Sequence, residues 1–140
     1  MTDKTYAILL APGEKPAVIE FDKKEKGLEF YYKNLDCSCI DIVHCYGIWK
    51  GMIADRKDQN AYTYSLVVDD EGLLKADPQI NMAASLLYGF FVHGEPIVGR
   101  AMVCKDEHTD EGIETVGLTL DEIEEVYGFV GQLARKAGIF

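Results

Sequence analysis

Leu66-Val67-Val68-Asp69-Asp70-Glu71-Gly72 is followed at short range by Asn81, by the apolar run Leu86-Leu87-Tyr88-Gly89-Phe90-Phe91-Val92, and by His93-Gly94-Glu95-Pro96. Apolar segments of strand length cut by acidic and glycine turns read as the centre of a sheet, and no catalytic signature interrupts them. The segment from Leu66 to Val103 therefore sets the fold class, and the rest of the chain is read outward from it.

Upstream, Ala61 to Val68 places Tyr62, Tyr64, Leu66 and Val68 on one face with period two, a strand pattern. Downstream, Leu87–His93 and Ile97–Cys104 flank Gly94-Glu95-Pro96 and predict a hairpin of central strands. Between them, Asp77-Pro78 marks a turn, and Asn81 to Ser85 fits a loop with a short helical turn. Nearer the N-terminus, Tyr6–Leu10 and Ala17–Phe21 are strand-like and are separated by Pro12-Gly13-Glu14-Lys15-Pro16, which predicts a second hairpin. Asp22-Lys23-Lys24-Glu25 fits a helix start that would bury Leu28, Tyr31, Tyr32 and Leu35, weakened by Gly27. Cys39 to Cys45 alternates as a strand, with Ile40, Ile42 and His44 on one face and Cys39, Asp41, Val43 and Cys45 on the other.

The C-terminal helix has the clearest local signal. Thr119-Leu120-Asp121-Glu122 forms a capping box, and Leu118 with Ile123 makes a hydrophobic staple. Leu120, Ile123, Val126, Tyr127, Val130, Leu133, Ala134 and Ala137 give one apolar stripe, ended by Gly138. Gly128 and Gly131 inside this helix imply the close approach of another backbone. The elements add up to one α+β domain over residues 1–140: a mixed or largely antiparallel sheet of about five or six strands, a first short helix and a C-terminal amphipathic helix.

Composition bounds function. A net charge of −10 repels phosphates, and no Lys/Arg cluster with interleaved aromatics offsets it, so direct nucleic-acid binding is not expected. No apolar run approaches the roughly 20 residues of a membrane-spanning helix. Met1 to Tyr6 lacks the basic start and apolar stretch of an export signal, which predicts a cytoplasmic protein with reduced cysteines. A homo-oligomer is compatible with this composition.

Candidate chemistry is sparse. Cys37, Cys39, His44 and Cys45 give C-x-C-x4-H-C, but strand parity sends His44 to the face opposite Cys39 and Cys45, so no metal is expected. His93-Gly94-Glu95 and His108-Thr109-Asp110 pair histidines with carboxylates in turns, with no third group to orient either ring. Phosphate-binding glycine loops, the G-x-S-x-G elbow and H-E-x-x-H are absent, and no cofactor is expected. Most aromatic residues read as core, and one exposed beside Trp49 would anchor a partner. From Lys105 to Glu125 there are nine acids against one base. That stretch reads as a solvated loop and an acidic helix start, or else as a surface for a basic partner.

Several segments resemble an uncharacterised domain family of phages, plasmids and other mobile elements in Gram-positive and gut bacteria. They are Pro12-Gly13-Glu14-Lys15-Pro16 with Ile19-Glu20, Cys39-Ile40-Asp41-Ile42-Val43, Val68-Asp69-Asp70-Glu71-Gly72-Leu73-Leu74 with Asn81, Gly94-Glu95-Pro96-Ile97-Val98-Gly99, and Leu118-Thr119-Leu120-Asp121-Glu122-Ile123. Cys37-Ser38 departs from the family's pattern, where a Gly-Gly turn is expected. The resemblance implies a small α+β domain carried by mobile elements and no reaction. The leading expectation is a non-enzymatic accessory protein that modulates host defence by binding a protein partner through Asp106, Glu107, Asp110 and Glu111. The alternative is a small-molecule- or nucleotide-binding protein, or a small enzyme, with a pocket near Asp70, Asn81 and His93.

Overall fold

The computed structural model describes residues 4–24, 28–45, 64–89, 94–136 and 138. Gly47 to Gly51 with Trp49, the Arg56–Asn60 loop, Tyr62, Phe90 to His93, Gly27 and Ala137 lie outside these residues.

Among the described residues, six strands form one antiparallel sheet: β1 (Lys4–Leu10), β2 (Ala17–Asp22), β3 (Ile40–His44), β4 (Tyr64–Asp69), β5 (Ala101–Thr109) and β6 (Gly112–Val116). Their order is β2-β1-β5-β4-β3, with β6 paired to β5. Lys105 pairs with both Tyr64 of β4 and Val116 of β6, so β6 lies along the same edge of β5 as β1. The sheet forks there. Strand β1 leaves β5 after Ile8 opposite Val103, and Leu118 takes the next place, exchanging two backbone bonds with Tyr6. Gly117 permits this approach, because a Cβ on it would collide with the Thr5 side chain.

The alternation read on β4 holds. Tyr64, Leu66 and Val68 face a core shared with Ile8, Leu10, Ala101 and Val103, and Val67 faces a second core with Ala7, Met102 and Cys104. Helices α2 (Met82–Tyr88) and α3 (Leu120–Lys136) cover the first core through Ala83, Ala84 and Leu87 and through Ile123, Val126, Val130 and Leu133. Helix α1 (Leu28–Leu35) covers the second through Leu35, Phe30 and Tyr31. Burying apolar surface on both faces is what makes a sheet of this length stable. Leu28 and Leu120, expected inside, are exposed.

Two segments depart from the sequence reading. Leu87 and Tyr88 do not start a strand; they close α2, because Asn81 caps its start and Gly89 takes the left-handed conformation at φ 83° that ends it. The expected hairpin around Gly94-Glu95-Pro96 is therefore absent among the described residues. The second departure lies in the acidic stretch, where Lys105–Thr109 and Gly112–Val116 pair as strands about a turn at Asp110-Glu111. Thr109 Oγ1 holds that turn, accepting from the Glu111 amide and donating to the Gly112 carbonyl.

The capping box of α3 forms as read. Glu122 Oε1 accepts from the Thr119 amide at 2.9 Å and from Lys105 Nζ at 3.0 Å, and Thr119 Oγ1 accepts from the Glu122 amide. Burial opposes the Glu122 charge, but the Thr119 amide and the Lys105 ammonium outweigh it and hold the carboxyl below the usual glutamate range. A depressed folded-state value means stability that is complete above the unfolded value, about 4.3, and is lost as pH falls through the folded one. The stability gap between the wild type and Glu122→Gln should accordingly shrink between pH 7 and pH 3 in urea titrations. A gap independent of pH would contradict the assignment.

Gly128 and Gly131 do not mark a close approach. A Cβ on either would meet nothing within 4 Å, so each simply weakens α3. Gly131→Ala is expected to raise stability by about 0.5–1 kcal/mol, the difference in helix propensity, measured by thermal or urea unfolding.

Candidate functional site

The strand–turn at the end of β4 builds the most developed polar site. Parity on β4 puts Asp69 on the same side as Ser65 and Val67, and its side chain is 1% exposed. Asp69 Oδ1 accepts from the Glu71 amide at 2.9 Å, fixing the turn. Its Oδ2 lies 2.9 Å from Lys75 Nζ, an ion pair in which the oxygen receives no aligned hydrogen bond. Lys75 Nζ also donates to the Asp36 carbonyl at 2.8 Å. Asp36 itself holds a left-handed conformation, φ 52°, where the chain leaves α1. The Asp69 carboxylate raises the Lys75 ammonium above the usual lysine value, against the opposing effect of burial.

These groups surround a cavity of about 390 Å³, which Cys37, Ser38, Glu71 and Leu74 also line. Burial pushes the Cys37 thiol up, and the neighbouring Asp69 charge adds to the effect, so this thiol is a poor nucleophile. Beside the cavity, the 3-10 turn Gly72–Leu74 presents Leu73 and Leu74 at 65% and 80% exposure. Gly72 lies against the Val98 backbone, and Val98 bridges to Ile80, so the backbone carrying Leu73 and Leu74 runs close to that carrying Ile80. Of the eight exposed large apolar side chains among the described residues, Leu73, Leu74, Ile80 and Met82 fall within ten residues of sequence.

The residues expected to form a pocket have different places. Asp70 is an exposed turn residue whose amide donates to the Cys39 carbonyl. Asn81 is buried, and its side chain is spent on backbone groups: Nδ2 donates to the carbonyls of Leu10 and Gly99, each at 2.9 Å, and Oδ1 accepts from the Ala84 amide at 3.2 Å. Four residues on, Ser85 Oγ accepts from the Ile97 amide at 2.8 Å. Asn81 and Ser85 thus clamp the segment that leads into β5. His93 lies outside the described residues. Strand parity, applied to Asp69-Asp70, is the signal that separates the inward carboxylate from the outward one.

The acidic residues also divide. Glu107, Asp110 and Glu111 are exposed on the β5–β6 hairpin, at the opposite end of β5 from Val98. Asp106 points inward, with its side chain 4% exposed; it accepts from Ser65 Oγ at 2.6 Å and pairs with His44 Nδ1 at 3.3 Å. This brings a serine, a histidine and an aspartate together, but not as a nucleophilic triad. Ser65 Oγ lies 3.4 Å from the same His44 Nδ1 that meets Asp106, donates its own proton to the carboxylate, and is buried. A triad needs the hydroxyl and the carboxylate on opposite ring nitrogens.

The cysteines do not gather into a metal centre. Cys45 faces the core under α2 and α3, His44 lies on the opposite face of β3, and Cys39 is exposed. No group of three metal-ligating side chains occurs among the described residues. Burial pushes the Cys104 thiol up to about 12, and Asp106 adds to the shift.

A second cavity, about 380 Å³, opens at the fork of the sheet, where Lys4, Lys23 and Lys105 surround an apolar wall that includes Phe21 and Leu118. No helix among the described residues is long and apolar enough to cross a membrane.

Fold and sites together define an α+β domain: a six-stranded antiparallel sheet with helices on both faces and a polar cavity at the end of its central strands. A family model described as a domain of unknown function, DUF3846, matches residues 4–130, and the chain belongs to that family. No curated protein and no solved structure matches the chain.

Proposed function

We propose that this chain is a non-enzymatic accessory protein of a phage, plasmid or other mobile element that acts in the cytoplasm by docking on a protein partner and so modulates host defence. One observation carries the reading: Leu73 and Leu74 stand exposed on the turn at the mouth of a polar cavity, and Ile80 and Met82 are exposed further along the same segment. Monomeric surfaces rarely leave large apolar side chains clustered, and interfaces draw most of their affinity from a few such anchors. The exposed acids Glu107, Asp110 and Glu111 sit at the far end of β5 and would steer a basic partner rather than anchor it.

The test compares capture of partners by the wild type, by Leu73→Ser with Leu74→Ser, and by Glu107→Gln with Asp110→Asn and Glu111→Gln. Losing two central anchors should weaken binding by about 30-fold or more, equivalent to about 2 kcal/mol. The hairpin variant should change mainly the salt dependence of association. Equal capture by the leucine variant would remove the apolar surface as the docking site, and loss confined to the hairpin variant would move it to the acids.

A second reading is a small-molecule-binding protein. Its support is the fork cavity, where Lys4, Lys23 and Lys105, the last already held by Glu122, meet apolar walls beside a single acid, Glu107, a setting for a small organic anion. Thermal shifts with a panel of carboxylates and nucleotides would detect it, and a flat panel would count against it.

A further inference from the structure

We propose that the Asp69 cavity is a receptor for a basic side chain, arginine above all, presented by the docking partner next to apolar residues; this rests on the protein-docking reading above. Lysine 75 is the tethered stand-in for that side chain. Its ammonium bridges two acceptors of different elements, Asp69 Oδ2 at 2.9 Å and the Asp36 carbonyl at 2.8 Å.

Three features make the site fit a guanidinium. First, Asp69 Oδ2 is buried and has an ion-pair partner but no aligned hydrogen bond, so its acceptor capacity is incompletely used. Second, the cavity lining carries Asp36, Asp69 and Glu71 against Lys75 alone, so it is negative even with Lys75 seated. Third, a planar guanidinium offers several donors in a fixed fork and is less strongly hydrated than an ammonium. It can therefore serve the carboxylate and the carbonyl with separate N–H groups, where one ammonium has to span both.

Lys75 is built to leave. Its side chain is 45% exposed, so release returns a long flexible stem to water and recovers rotamer entropy. The exchange conserves charge in the cavity, because one cation replaces another. Leu74 lines the cavity and Leu73 lies beside it, so apolar neighbours of the incoming arginine would meet the exposed leucines directly. The partner chemistry that follows is a segment of the type apolar-Arg-apolar.

The competition between tethered lysine and arriving arginine supplies the test. A group held by a short tether acts at millimolar effective concentration, which masks weak ligands. The uniformly ¹⁵N-labelled full chain is titrated with acetyl-Leu-Arg-Leu-amide and with the same peptide carrying citrulline, the neutral near-isostere of arginine. With Lys75→Ala, the arginine peptide should bind at least about tenfold more tightly than to the wild type, and about tenfold more tightly than the citrulline peptide does. Amide shifts should centre on Asp69 to Leu74. Asp69→Asn, which keeps an acceptor for the Glu71 amide, should abolish the preference when added to Lys75→Ala.

Equal affinity of the two peptides for Lys75→Ala, within about twofold, overturns the proposal whatever the Asp69 variant does. Acetyl-arginine-amide, which lacks leucines, separates the two claims. If it binds Lys75→Ala while the leucine variants keep full partner capture, the cavity stands and the apolar docking surface fails. If it does not bind and the leucine variants lose the partner, the docking surface stands and the arginine receptor fails.

Discussion

Asn81→Asp should destabilise the protein by about 3–5 kcal/mol, a large share of the roughly 5–15 kcal/mol that holds a domain folded. The substitution looks harmless. Aspartate has the same shape and is as good as asparagine at a helix start, so local rules alone predict no loss. In this fold Asn81 Nδ2 donates to the Leu10 carbonyl at the end of β1 and to the Gly99 carbonyl before β5. A carboxylate would turn an acceptor toward two buried acceptors, removing both bonds and leaving like partial charges in contact. Asn81→Ala would lose the cap as well, and should fall in the same range. Urea unfolding checks both, and Asn81→Asp carries a further signature: below about pH 4 the protonated acid can donate once, so part of the loss should return. A penalty under about 1 kcal/mol at pH 7 would show that Asn81 is no clamp.

Gly72→Ala should destabilise by about 2–3 kcal/mol, near the upper end of what overpacking does. The added Cβ would stand 2.6 Å from the Val98 carbonyl oxygen and 3.2 Å from its carbon. Both are backbone atoms of a residue bridged to Ile80, so no side-chain rotation relieves the contact. The turn has to shift, and with it Leu73, Leu74 and the route from Asp69 to Lys75. Thermal unfolding should show a fall of about 3–5 °C per kcal/mol at this size. Partner capture should weaken more than the lost stability explains, since the anchors move while the chain stays folded. A variant that melts with the wild type would mean that the turn has room to adjust.

The parts of this fold that rest on local rules were legible. The proline-glycine turn between β1 and β2, the alternation of β4 and the capping box at Thr119 each identify themselves within a few residues. The run Leu86 to Val92 did not, because a short apolar stretch fits a helix and a strand equally well. There the decision belongs to Asn81 and Gly89, whose backbone conformations start and stop α2. The second half of β5 and all of β6 were obscured by charge: Asp106, Glu107, Asp110, Glu111 and Glu114 suggest solvated loop, yet pairing needs backbone groups and tolerates exposed acids. The same acidity hid that Asp106 turns inward to Ser65 and His44. At the candidate site the sequence pointed to this turn and to Asp70, whereas the buried carboxylate of the turn is Asp69. The lysine that meets Asp69 lies six residues on and becomes its neighbour only through the turn. Contacts such as Asn81 to Leu10, 71 residues apart, have no local signature at all.

The fork in the sheet also sets a timetable for synthesis. Strand β1 leaves the ribosome well before β5, and its hairpin with β2 can form at once. Its other edge waits for β5 and then for Leu118, which bonds Thr5 Oγ1 across 113 residues of chain. At about 5–20 residues per second that edge stays open for roughly 5–20 s, with Ile8 and Leu10 uncovered by their eventual partners. Closure then comes almost entirely from the last third of the chain, in a long-range step of the kind that slows folding. A nascent chain stalled before residue 101 would hold an unsealed strand edge, free to pair with whatever strand meets it first.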